Sequence, residues 1–215
     1  MDQFYKAFID HFKEPPTSIL EIGSRDGHHA EELRKLANIE PCSVNVVEPH
    51  PVSYRNIIKA YPDFKTFEFA ISDTPGVLPF NAISSDTYTQ DVVGTSSLLH
   101  LVEPVRAGAA AMNWIKVLAI TGQTLLQLID RWQIDLVKID VEGYTYQALK
   151  SFGTDIRLLR ALHVEVELAP FQLWEGQHNH QEIQQYLTSF GFKELYYNPL
   201  FWKGYQGDNV WVRLD

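Results

Sequence analysis

The sequence predicts an α/β fold, a mostly parallel sheet with helices on both faces, and three observations carry that prediction. Short apolar runs alternate with helix-period segments along most of the chain. A glycine-bounded turn, "LEIGSRDG" at residues 20–27, stands between the first apolar run and the first such helix. The last two strand-like runs follow each other closely, which suits an antiparallel finish. With 215 residues and 45% hydrophobic content, the chain can bury one substantial core, and residues 1–215 are read as a single domain.

The opening "MDQFYKAFIDHFKEPP" has the pattern of an amphipathic helix over residues 1–14, ended by Pro15 and Pro16. It lacks the basic start and continuous apolar run of a secretory leader. "TSILEI" is the first strand and "HHAEELRKLA" the helix after the turn. "CSVNVVEPHP" gives a second strand ending on Glu48, and "VSYRNIIKAYP" its helix. "FKTFEFAIS" is predicted as a third strand, closed by "SDTPG". From Val77 to about Thr121 the rhythm breaks into polar and glycine-containing pieces, a length of irregular chain that suits a lid or binding loop. "WIKVLAIT" then resumes as a strand, followed by the helix "TLLQLIDRWQ", the buried strand "IDLVKID", the helix "YTYQALKSF" and the strand "LLRALHVEVEL". The helix "HQEIQQYLTSFG" and the strands "FKELYYN" and "DNVWVRLD" complete the chain.

Lys+Arg 18 against Asp+Glu 27 gives a net charge of -9 with no basic block, so neither nucleic acid nor an anionic membrane is an expected partner. No stretch approaches the roughly 18 apolar residues of a membrane span, and a cytoplasmic location is expected. The single Cys42 cannot form an intramolecular disulfide, and its place at the start of an apolar run predicts a buried thiol.

The turn at residues 20–27 lies at the carboxyl end of a strand, where open parallel sheets bind ligands. Gly23 and Gly27 supply backbone freedom, but Arg25 stands where a dinucleotide fingerprint requires its second glycine, so a pyrophosphate is not the expected guest. Glu48, about 20 residues on at the next strand end, is placed to accept hydrogen bonds from a ribose diol. Asp73, with Ser72, ends the next strand and is placed for an adenine amino group; Ser-Asp before Thr-Pro-Gly is also ordinary turn chemistry. "LVKIDVEGY" is the sharpest signal: alternation puts Lys138 and Asp140 on one face at a strand tip, with Glu142 next to them. Such charges are costly to bury unpaired, which argues for a site; the alternative is that Lys138 pairs with an acid to hold the strand end. "HVEVEL" repeats the pattern with His163, Glu165 and Glu167 on one face. Asp140, Glu142 and Glu165 are thereby candidate ligands for a divalent cation, although the spacing selects no metal.

Taken in order, "LEIGSRDG", "VVEPHP", "AISD", "TSSL" and "DLVKIDVEGYTYQALKSF" resemble the FkbM-like S-adenosylmethionine-dependent methyltransferases, from about Thr17 to the C-terminus. The resemblance implies a Rossmann-like class I methyltransferase fold with a seven-stranded sheet and one antiparallel strand. It also implies bound S-adenosylmethionine and O-methylation of a small-molecule hydroxyl on a sugar, glycolipid or polyketide. On this resemblance Glu21, Gly23 and Gly27 shape the pocket for the methionine part, with Ser24, Arg25 and Ser97 also at the cofactor. Glu48 holds the ribose, Ser72 and Asp73 meet the adenine, and Asp140 lies near the methyl group. Two departures stand out: Arg25 replaces a small or amide residue, and Tyr144-Thr145 replaces an Ala-Glu pair.

Methyl transfer from a sulfonium is an in-line displacement, so alignment and exclusion of water dominate, and a base must take the hydroxyl proton. Asp140 is the first candidate for that base and His163 the second. Two rival readings keep the fold: a nucleotide-binding or interaction protein without catalysis, and an NAD-dependent oxidoreductase. The carboxylates gathered at one crevice argue against the first, and Arg25 within the glycine set against the second. Trp174, Tyr196, Tyr197, Phe201, Trp202 and Tyr205 offer an aromatic wall for a carbohydrate, or core.

Overall fold

A computed structural model of the chain describes residues 6, 9–82, 96–102, 113–129, 133–199 and 206–214. Its central sheet has seven strands: β1 (Ile19–Ile22), β2 (Val44–Val47), β3 (Lys65–Phe67), β7 (Ile134–Ile139), β8 (Leu159–Glu167), β9 (Phe192–Asn198) and β10 (Gln206–Arg213). Their spatial order is β3-β2-β1-β7-β8-β10-β9. The first five in that order pair in parallel, whereas β10 runs antiparallel to both its neighbours. The chain order reverses between β1 and β7, which makes their carboxyl ends the topological switch point where such sheets open a crevice.

Helices cover the two faces. On one lie α1 (His28–Ala37) and α2 (Pro51–Ala60), whose Ala30, Leu33, Ala37 and Ile57 pack on Ile19, Val44, Val46, Leu136 and Ala161. On the other lie α3 (Gly122–Leu128), α4 (Thr145–Lys150) and α5 (His180–Ser189), whose Leu125, Ala148, Leu149, Ile183 and Leu187 pack on Leu20, Val137, Ile139, Leu162, Val164 and Trp211. From Ala161 to Val166 the pleat of β8 sorts its apolar side chains: Ala161 joins the cluster beneath α1 and α2, whereas Leu162, Val164 and Val166 face the larger core. α5 begins with a reciprocal cap in which the Asn179 side chain accepts from the Glu182 amide and Glu182 accepts from the Asn179 amide.

Three strand expectations change. "FKTFEFAIS" is not one strand: Lys65–Phe67 pairs with β2, while Ala70–Ile71 forms β4 of a separate three-stranded sheet. That second sheet has the order β4-β6-β5, with β5 (Gly76–Ala82) antiparallel to β6 (Asn113–Ile120). "WIKVLAIT" therefore belongs to it and not to the central sheet. The interval from Val77 to Thr121 is also regular at both ends, with β5 and β6 aligned from Gly76 opposite Ala119 to Ala82 opposite Asn113. Its residues 83–95 and 103–112 lie outside the described residues, as does most of the opening helix, of which Lys6, Ile9 and Asp10 are helical. A β-prone run reports local fit to a pleated surface, not which neighbour completes its hydrogen bonds, so the crossing between sheets leaves no mark in composition. Cys42 differs too: it is exposed, in a single turn of tighter helix at Pro41–Ser43, before the buried part of β2 begins.

Candidate functional site

The glycine turn closes against its neighbours through backbone bonds. The Gly23 amide donates to the Val47 carbonyl at 2.9 Å and the Asp140 amide to the Ile22 carbonyl at 3.0 Å, so the ends of β2, β1 and β7 meet at one point. Gly23 has φ 80°, and a Cβ there would lie 1.8 Å from the Asp140 carbonyl oxygen; no other residue fits. Gly27, at φ 78°, precedes α1 and faces the Tyr61 ring, which a Cβ would meet at 2.8 Å.

Glu21 lies beneath this turn, fully buried, and its carboxylate accepts from Ser24 Oγ at 2.7 Å and from the Ala30 amide at 3.2 Å. Ser24 Oγ in turn accepts from the Gly27 amide at 3.0 Å. Burial pushes the Glu21 pKa up to about 7 against the pull of Lys138. Glu21, Ser24 and Gly27 thus shape the turn from behind. Arg25, at φ 60°, points its amide at Glu48 Oε2 (2.7 Å), and the His50 amide donates to Glu48 Oε1 (2.7 Å). Each oxygen keeps acceptor capacity, since an ionised carboxylate offers about four sites. Burial raises Glu48 to about 7, so a donor that favours its charged form would bind against that cost.

A cleft enclosing about 670 Å³ of space, open solvent at its mouth included, lies over these strand ends. Gly23, Arg25, Glu48 and Asp140 line its polar side. Val47, Ala70, Ile71, Phe80 and Leu98 line its apolar side, so the second sheet supplies one wall. Ser97 also lines it, and its hydroxyl donates to the Glu142 carbonyl at 2.7 Å while Ser97 bridges to Asn81 of β5. Ser72 and Asp73 stand one layer out: Ser72 Oγ and Tyr144 Oη share a hydrogen bond of 2.8 Å, and Asp73 lies 3.6 Å from Lys150.

Asp140 accepts from Lys138 Nζ at 2.7 Å. Lys138 is buried and Asp140 is 26% exposed toward the cavity. Burial works to raise Asp140, but the lysine ammonium outweighs it and holds the carboxyl below its usual range. His163 is buried with Nε2 at 3.0 Å from Asp208, and it does not line the cavity. Beyond Asp140 the same face carries more carboxylates. One oxygen each from Asp140, Glu142 and Glu165 lie within 4.8 Å of one another. Gln206 Nε2 donates toward Glu165 at 2.8 Å, Glu167 at 3.2 Å and Glu142 at 3.5 Å. Burial, then repulsion from Asp140, pushes Glu142 and Glu165 well above the carboxylate range; burial raises Glu167 to about 7.

Sequence reasoning missed Tyr144 and His50, which line the cavity, and Gln206 among the acids. Tyr144 carried a signal, since it departs from the family pattern just after the glycine. His50 caps α2 through Nδ1, which accepts from the Val52 amide at 3.2 Å, a role its position before Pro51 allows. Gln206 carried none. Of the aromatic residues near the C-terminus, Trp174 is 1% exposed and belongs to a small apolar cluster, Tyr197 stacks on His180, and Phe201, Trp202 and Tyr205 lie outside the described residues. Among the described residues no helix is long and apolar enough to cross a membrane.

Comparison with known proteins gives one family match and many structural ones. A family model described as the methyltransferase FkbM domain matches residues 21–194. A methyltransferase FkbM from Methylobacillus flagellatus superposes with TM-score 0.56 at 10% identity, covering 94% of this chain and 45% of that one. The chain therefore spans less than half of that protein's length. The magnesium protoporphyrin IX methyltransferase of Synechocystis superposes with TM-score 0.55 at 11% identity with S-adenosylmethionine bound, covering 99% of this chain and 77% of that one. Its complex with S-adenosylhomocysteine gives TM-score 0.53 at 13% identity, covering 99% and 81%. No curated protein matches the sequence. At these identities the superpositions establish the fold, a Rossmann-like sheet shared with methyltransferases.

Proposed function

The chain belongs to the methyltransferase FkbM domain family, and from this we propose that it transfers the methyl group of S-adenosylmethionine to a hydroxyl of a small molecule. The observation that carries the reading is the convergence of Gly23, Glu48 and Asp140, from the ends of three adjacent parallel strands, on one cavity. Glu48, fixed by two backbone amides, accepts the ribose hydroxyls. The apolar wall of Val47, Ile71, Phe80 and Leu98 holds the adenine, with Tyr144 oriented by Ser72 and Asp73 at its edge. The amino acid end lies over Gly23, where a backbone without a side chain admits close approach, with Arg25 beside it. The family model and the ligands of the structural relatives support this assignment.

Asp140 then faces the acceptor. It is ionised at neutral pH, and a carboxylate held low is a weak base; the hydroxyl becomes strongly acidic as its oxygen takes the methyl group, so a weak base suffices. Lys138 keeps Asp140 oriented and charged. Ser96, Ser97 and Leu98, with Ser97 tied to Glu142, cover one side of the cavity and exclude water there. A sugar, glycolipid or polyketide alcohol is the proposed acceptor class, with residues 1–215 acting as a single methyltransferase domain in the cytoplasm.

Calorimetry with S-adenosylhomocysteine tests the donor pocket directly. Saturable binding is expected, and Glu48→Ala is expected to weaken it by about 1–3 kcal/mol, the range for a lost charged hydrogen-bond partner. Unchanged affinity in a folded Glu48→Ala protein removes Glu48 from the site.

A further inference from the structure

Beside the donor cavity the described residues gather more carboxyl groups than their cations meet. Asp140, Glu142 and Glu165 each bring an oxygen within 4.8 Å of the other two. Oxygens on opposite sides of a Mg²⁺ or Ca²⁺ ion are about 4–5 Å apart, so this spread matches a shared ion. Lys138 is committed to Asp140 at 2.7 Å and His163 to Asp208 at 3.0 Å. A further donor, the Gln206 amide, has two hydrogens and three carboxylates within 3.5 Å.

A second feature, outside the triad, points the same way. Glu167 is 2% exposed, and its Oε2 is a buried oxygen with no hydrogen-bond partner. Its other oxygen meets the same Gln206 nitrogen as Glu142 and Glu165, so the carboxylate group is turned toward the cluster. A buried acceptor left bare is unfavourable, and a cation or its bound water would supply what is missing.

We propose that Asp140, Glu142 and Glu165 bind one divalent cation through oxygen, with Glu167 held beside them to accept from the ion's water. All-oxygen donors select Mg²⁺, Mn²⁺ or Ca²⁺ over the softer transition metals. The site stands independently of the methyl-transfer reading. Its use rests on that reading: an ion at Asp140 would lower the pKa of an acceptor hydroxyl beside the donor pocket.

The test is Mn²⁺ titrated alone into the metal-stripped full chain, followed by calorimetry and by the loss of the free-ion paramagnetic resonance signal. One ion is expected to bind and to raise the melting temperature. Glu165→Gln, which keeps the shape and removes a buried like charge, is expected to fold and to weaken binding by about tenfold or more, since charge count sets affinity in such sites. Absence of saturable binding below about 1 mM, the weak end of protein cation sites, overturns the proposal. So does equal affinity in wild type, Glu165→Gln and Glu142→Gln, which would mark diffuse surface binding. S-adenosylhomocysteine is titrated separately into the metal-free chain, so a failed cation site and a failed donor pocket give different results.

Discussion

Strands β7 and β8 show two opposite surfaces to the molecule. Toward α3, α4 and α5 they turn Val137, Ile139, Leu162, Val164 and Val166, all 0–1% exposed. Toward α1 and α2 the same strands turn Leu136 and Ala161 near their starts, then Lys138, His163, Glu165 and Glu167 toward their ends. The difference lies in what covers each face. Helices continue over the apolar face as far as Val166, whereas the apolar cluster beneath α1 and α2 stops short of the polar strand ends. A sheet can therefore spend one face on stability and leave the end of the other for chemistry, because from Leu136 and Ala161 onward the pleat separates the two sets.

The largest effect should come from the polar face. Asp140→Asn is expected to reduce turnover by about two to four orders of magnitude, the range for a lost general base, while S-adenosylhomocysteine binding persists. Turnover is measured with an acceptor found by screening sugars and polyketide alcohols, and melting is followed in parallel because Lys138 loses its charged partner. A folded Asp140→Asn enzyme with wild-type turnover would make the polar face structural as well, and the comparison would collapse.

The apolar face should answer in stability alone. Leu162→Ala empties a fully buried position and is expected to cost about 2–5 kcal/mol in urea unfolding. Donor affinity in the folded variant should stay within a factor of a few. A large change in affinity without a change in stability would show the two faces to be coupled.

The smallest effect separates burial from charge on the polar face. Glu21 has its folded pKa raised to about 7 from 4.5. Its neutral form is favoured by folding, so its contribution is full below pH 4.5 and is lost as pH rises through about 7. His29, lowered to about 4 by burial and then by Lys138, acts in the opposite sense between about pH 4 and 6.5, and these two causes are common to wild type and variant although His29 Nδ1 lies 3.8 Å from Glu21 Oε1. Relative to Glu21→Gln, wild-type stability is therefore expected to fall between pH 4.5 and 7, by on the order of 2–3 kcal/mol at about 1.4 kcal/mol per pKa unit. Parallel stability curves for the two proteins would show that Glu21 titrates normally.

Much of the fold was legible because it rests on local rules. Strand and helix positions from "TSILEI" to "DNVWVRLD" followed from periodicity, and Gly23, Glu48 and Lys138 to Glu142 stood out because strand ends in such sheets face a crevice. Tyr144 was visible only as a departure from a pattern. The second sheet was hidden, since β3 and β4 lie in one continuous β-prone run.

By itself the sequence determined the alternation that makes the sheet parallel, the face on which each charge of β7 and β8 would lie, and the turn that only glycine can make at residue 23. Tertiary structure alone decided that Asp140 pairs with Lys138, that Ser72 and Asp73 act at one remove through Tyr144, and that Gln206 is shared by three carboxylates of two other segments. Period and propensity act between residues close in the chain, where backbone geometry fixes direction. A partner 64 positions away, as Gln206 is from Glu142, is chosen by how strands are ordered across the sheet. That order depends on the burial and hydrogen bonding of the whole chain at once.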